Sequence, residues 1–186
     1  MGVFDYLSIL FSVIMGLALT QILQGLRALM LARSRVVVFL PALIWAVLMI
    51  FIVAQAWWGM FGMRDIGLWN FAMYGAVVLQ TTLMYLASGL VVPDVPAEGI
   101  VDMREAYFAH SRWFFGTIAA TVVSTFLKDY VTIGRVSSNW NAYFLEACLV
   151  LFTIAAATKS RWFHWFLAPF SVFVMTVYTA LLSFRL

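Results

Sequence analysis

The chain has 186 residues, 65% of them hydrophobic and only 10% charged, with a net charge of +3 and a mean hydropathy of +1.00. A water-soluble domain of this size must expose a large part of its chain and cannot hide so much apolar surface, so lipid is the expected solvent. Nucleic acid is excluded as a partner, because the few positive charges are scattered at the ends of apolar runs, where membrane topology explains them.

A spanning helix needs about 20 mostly apolar residues to cross roughly 30 Å of hydrocarbon. Six runs meet that need: residues 7–31, 36–61, 67–92, 113–133, 141–158 and 162–184. The runs are continuous and do not alternate, so helices are expected and a barrel is not. The expected fold is therefore all-α, a polytopic membrane protein of six transmembrane helices.

The first run opens Gly2-Val3-Phe4-Asp5, without the positive charge of a signal peptide, and ends at Arg33 and Arg35 rather than at a small-residue cleavage site. It reads as a retained span. Along it Ser8, Ser12, Gly16, Thr20 and Gln24 recur every four residues, on one helix face. Such a ridge lets another helix approach closely. Gln21 lies near the middle of this span, and Gln80 near the middle of the third, with Thr20, Thr81 and Thr82 beside them. These amides could bond across helices, or they could line a wet path and replace an ion's hydration shell.

Residues 93–112 form the one stretch clearly outside the hydrocarbon. Pro93 and Pro96 stop the third helix. Asp102 with Glu105 three residues on has the spacing of a capping box, which predicts a short interfacial helix over 103–110. This linker divides the chain into 1–92 and 113–186, three spans each.

The fourth run carries a second row: Gly116, Ala120, Ser124 and Lys128. Laying 11–24 over 115–128 aligns the two rows without a gap, with three identities in fourteen positions. A 3+3 inverted repeat, a frequent plan in transporters, is one explanation. Ordinary small-residue packing is the other. Lys128 and Asp129 near the end of this span and Glu146 in the fifth fall at a similar depth. Paired, they would offset one another's desolvation, and they could bind an ion or a proton. The alternative is an interfacial pair reaching into headgroups. In the sixth span, Pro169 predicts a bend.

Lys and Arg set the orientation. The first, third and fifth loops hold Arg33, Arg35, Arg104, Arg112, Lys159 and Arg161, and the other side holds Arg64, Lys128, Arg135 and Arg185. Those three loops are expected in the cytoplasm and both termini outside. Ser-Arg-Trp-Phe occurs at 111–114 and again at 160–163, each time where an outward-going helix begins. Arg reaching to headgroups beside an interfacial indole reads as an anchor used twice.

Signals for enzymatic chemistry are poor. The chain has no nucleophile elbow, zinc helix or phosphate-cradling glycine loop. Cys148 is the only cysteine, so no intramolecular disulfide or cysteine metal cluster can form. Haem would need His110 and His164 to face each other across a pocket, and nothing in their spacing demands it; both read as interfacial, and no cofactor or metal is expected. The general look is that of a small bacterial inner-membrane protein.

The leading functional expectation is a small channel or transporter for an ion or small solute. Gln21, Gln24 and Gln80 would form its path, with Lys128, Asp129 and Glu146 at the outer mouth. The competing class is a non-catalytic subunit or scaffold of a membrane complex, with the Ser8–Gln24 ridge docking a partner helix; an enzyme ranks third. The bilayer, further copies of the chain or other membrane subunits are the expected partners.

Overall fold

In a computed structural model the chain is all-helical, and the structure describes residues 2–135 and 139–183. Among the described residues there are six helices: α1 (Val3–Leu31), α2 (Leu40–Met60), α3 (Phe71–Leu90), α4 (Met103–Ile133), α5 (Trp140–Ala157) and α6 (Arg161–Ser183). Each expected span falls on one of them. Phe184, the expected end of the sixth span, and Arg185 lie outside the described residues.

Five segments are long and apolar enough to cross a membrane: α1, Leu40–Asp65 (α2 with its following turn), α3, α5 and α6 through Ala180. α4 is not among them. Its apolar content is diluted by Thr117, Thr121, Ser124, Thr125, Lys128 and Asp129.

Local chemistry places the helix starts. Asn70 and Asn139 cap α3 and α5, their side-chain oxygens accepting from the backbone N–H of Met73 and Ala142. At the start of α4, the Asp102 carboxylate accepts from the N–H of Arg104 and Glu105. The helix that follows corrects the sequence reading. There is no separate interfacial helix: α4 runs unbroken from Met103 to Ile133. Met103, Tyr107, Ser111, Phe114, Phe115, Ile118 and Val122 are buried along one continuous face. With no break in that apolar stripe, the helix has no reason to stop at His110. Gly134 ends it in the left-handed conformation (φ 75°), which glycine adopts freely.

The loops before α2 and before α4 meet. A short parallel pairing joins β1 (Val36–Val37) to β2 (Val101–Asp102), Val36 beside Val101 and Val37 beside Asp102. Arg35 reinforces it, donating to the carbonyls of Gly99 (2.9 Å) and Pro96 (2.6 Å). Gly99 has φ +90°, a turn conformation open to glycine, beside that contact. The first and third loops thus lie on one side of the bundle.

α1 packs along α3, α3 along α4 and α4 along α5, while α2 lies on α1 and carries α6. The main core joins all six helices. At its centre Trp45 is fully buried, its ring 5.6 Å from Phe114, 5.1 Å from Phe115 and 6.0 Å from Phe152. Such edge-on aromatic contacts add to the dispersion gained by burial.

Two glycines, Gly25 of α1 and Gly89 of α3, mark close approaches away from the Ser8–Thr20 ridge. A methyl at Gly25 would come within 2.8 Å of the Val92 side chain, and one at Gly89 within 2.9 Å of the Gln21 Oε1. Nothing lies within 4 Å of a methyl placed at Gly16. α1 buries Phe11, Met15, Ala18, Ile22 and Leu29 and turns Ser12, Gly16, Thr20 and Gln24 outward. The matching row on α4 sits differently: Gly116 and Ala120 are half-buried and Ser124 is buried.

Candidate functional site

Two polar groupings lie inside the bundle. The first is the α3–α4 seam. Gln80 is buried on α3 and its Nε2 donates to Thr125 Oγ1 of α4 at 2.8 Å. Along α4, the hydroxyls of Thr117, Thr121 and Thr125 each donate to the carbonyl four residues back, at 2.7, 2.9 and 3.1 Å. Ser124 donates to the Thr121 carbonyl at 2.7 Å. A hydroxyl that bonds back to its own helix needs no water partner.

The expected path residues do not converge on this seam. Gln21 is half-buried and lies over Gly89, at the α1–α3 contact. Gln80 therefore bonds α4, not Gln21. Gln24 is exposed on the outer face of α1. Lys128 and Asp129 are half-buried near the end of α4, and Glu146 is exposed on α5. The one ion pair among the described residues is Arg64–Asp65, at 3.4 Å on the surface, so neither Lys128–Glu146 nor Lys128–Asp129 closes.

The second grouping was not legible as a site. His164, read from the sequence as interfacial, is fully buried. Its Nε2 lies 3.0 Å from the Thr158 carbonyl and its Nδ1 2.9 Å from the Tyr107 hydroxyl. A carbonyl only accepts, so Nε2 carries the proton and Nδ1 accepts from Tyr107. Rings of Tyr107, Phe108, Phe115 and Phe163 surround it at 5.3 to 5.5 Å. The Trp45 indole N–H has no hydrogen-bond partner in this core. The imidazole thus ties the start of α6 to the first turns of α4 and to the end of α5. Both its nitrogens are engaged by protein groups. His110 is exposed, its Nδ1 3.0 Å from its own helix's Ala106 carbonyl.

One sequence signal could have found His164. His164, Leu167, Ala168 and Ser171 recur at the spacing of one helix face, and all four are buried. The repeated Ser-Arg-Trp-Phe does not begin a helix both times: the copy at 160–163 starts α6, but the copy at 111–114 lies inside α4 (Met103–Ile133) because α4 already begins at Met103. Arg112 and Arg161 are exposed, and Trp113 and Trp162 point outward.

Two surface concavities flank these groupings. One, of about 330 Å³, lies between the start of α1 and the end of α2 and is lined by Ser8, Ser12, Phe11, Trp57, Trp58 and Phe61 among others. The other, of about 550 Å³, lies beside the first turns of α4 and Lys159. Among the described residues no group of three or more His, Cys, Asp or Glu could hold a metal ion. No protein-family model matches the chain, and no curated protein or solved structure is significantly similar to it.

Proposed function

We propose that this protein is a six-span integral membrane protein serving as a non-catalytic structural or auxiliary subunit of a membrane assembly, joined to further copies or to other subunits through α1. The sixth span in this reading is the latter part of α4. α4 as a whole has 31 residues, and its latter part, residues 113–133, extends about 30 Å at 1.5 Å per residue, enough for a crossing. Its hydroxyls bond the helix backbone, which lowers the cost of placing them in lipid. The distribution of Lys and Arg supports a cytoplasmic β1–β2 side and outer termini, in a bacterial inner membrane. An inverted 3+3 repeat gains no support from packing, because α1 lies along α3 while α4 lies along α5 rather than α6.

The observation that carries the subunit reading is where α1 puts its small and polar residues. Ser12, Gly16, Thr20 and Gln24 face away from the bundle, and the space over Gly16 is open. Glu146 likewise faces outward on α5 without an ion pair. A carboxylate and an amide turned toward hydrocarbon are costly, and a protein neighbour that covers them removes the cost. The aromatic-walled concavity at the start of α1 shares Ser8 and Ser12 with the ridge and continues the same face.

Transport by an ion or small-solute channel is the second reading. It is favoured by the Gln80–Thr125 bond one helical turn from Lys128. Native mass measurement of gently purified protein, paired with a liposome flux assay, separates the two. The subunit reading expects assemblies of several chains or stable foreign subunits, and no flux from the chain alone. A monomer that carries flux, lost in Glu146→Gln or Lys128→Met, would replace it with transport.

A further inference from the structure

The concavity beside the start of α4 brings together four charged side chains that do not neutralise one another. Asp102, Arg104, Glu105, Phe108 and Ala109 form one wall, and Lys159, from the turn between α5 and α6, faces them. Among the described residues no ion pair joins these cations to these carboxylates. The Asp102 carboxylate is already engaged, since it caps the N–H of Arg104 and Glu105. That leaves two cations and one carboxylate, all exposed, around an open concavity of about 550 Å³. Phe108 and Ala109 add apolar surface to its lining.

The level of this concavity is fixed by its neighbours. Trp113 follows two turns along α4, and Trp162 follows three residues after Lys159, both strongly exposed. Exposed tryptophans of this kind sit at the boundary between headgroups and hydrocarbon. The concavity therefore opens at headgroup depth, on the side of the bundle that holds the β1–β2 pairing.

From this charge pattern we infer a binding site for an aminophospholipid headgroup. The phosphate diester lies between the Arg104 guanidinium and the Lys159 ammonium, the headgroup ammonium meets the Glu105 carboxylate, and the glycerol end rests on Phe108 and Ala109. Arg offers a planar fork to phosphate and Lys a point charge. The carboxylate distinguishes this site from a merely basic patch: it favours a headgroup with an amine over an anionic one without it. The inference rests on the membrane reading above, though not on the subunit role.

Titrations of the delipidated protein in mild detergent, read by native mass spectrometry, test it with three probes: phosphatidylethanolamine, phosphatidylglycerol and inorganic phosphate. One phosphatidylethanolamine per chain should bind in preference to phosphatidylglycerol. Arg104→Gln with Lys159→Gln should weaken it at least tenfold. Glu105→Gln should leave total lipid binding in place but erase the preference between the two lipids. Three results would overturn the site: equal binding of both lipids by the unaltered chain, lipid adducts unchanged in all variants, or uptake of inorganic phosphate that phosphatidylethanolamine fails to displace. Glu105→Gln removes a charge from an exposed first turn, so it keeps the test alive if the double variant does not fold. A chain that needed no detergent at all would sink the membrane reading itself, a result distinct from unchanged adducts.

Discussion

The two ends of the bundle are built differently. At the end with the first and third loops, the chain ties itself together: β1 pairs with β2, Arg35 bonds two carbonyls of the opposite loop, and His164 bridges Tyr107 and Thr158 beneath Trp45. At the other end the helices are less tied. An open concavity separates the start of α1 from the end of α2, Lys128 closes no ion pair, and the bond from Tyr178 to Asn141 (2.8 Å) is an exposed link between α5 and α6. The chain bonds to itself at one end and presents unpaired groups to its surroundings at the other. The first end is cross-linked by bonds between its loops and helices. The second turns small, aromatic and polar residues outward.

The largest effect should come from the tied end. Trp45→Ala removes the ring at the centre of the aromatic cluster and should destabilise the bundle by ~4 kcal/mol, read as earlier unfolding in a detergent-denaturant titration. A loss under ~1 kcal/mol would mean the cluster is filler rather than the core. His164→Leu keeps most of the volume but strands the Tyr107 hydroxyl and the Thr158 carbonyl. Stranded buried groups cost about 1–3 kcal/mol each, so a drop on the order of 3 kcal/mol is expected. Tyr107→Phe should cost less, because His164 retains its Thr158 partner. Equal losses in both variants would break the view of His164 as a two-sided bridge.

The smallest effect sharpens the contrast along a single helix. Gly25→Val drives a branched side chain into Val92 and should cost on the order of 1–2 kcal/mol. Gly16→Val meets open space and should leave monomer stability unchanged while reducing the size of the assembly. A stability loss at Gly16 as large as that at Gly25 would place the ridge inside the bundle and contradict the packing described.

Much of the fold was legible in the sequence. Continuous apolar runs can only be satisfied as helices in lipid, and each of the six runs falls on a helix, with α4 the one that begins well before its expected start. What failed was finer. Pro93, Pro96 and the charges of Arg104 and Glu105 suggest an interfacial helix separate from the span, whereas the buried stripe beginning at Met103 runs through both as one helix. The ridge from Ser8 to Gln24 was real as a pattern, but periodicity says that residues share a face, not what that face meets. Gly25 and Gly89 carry no such pattern, and their role depends on which helix lies opposite. Likewise Gln80 found its partner in Thr125, a residue with nothing in its local sequence to mark it. The depths of Lys128 and Glu146 were read from position along each span, yet depth does not fix the direction around the helix, and Glu146 points outward.

Photo-crosslinking from α1 shows whether its outward face meets protein or lipid. Ser12→Cys and Phe173→Cys, each placed in a Cys148→Ser chain and labelled with benzophenone maleimide, would be irradiated in native membranes. Ser12 lies on the ridge and Phe173 on the exposed surface of α6. A discrete protein adduct from position 12, with only lipid adducts from position 173, is the predicted result. Lipid adducts alone from both positions would contradict a docking face on α1 and with it the proposed role.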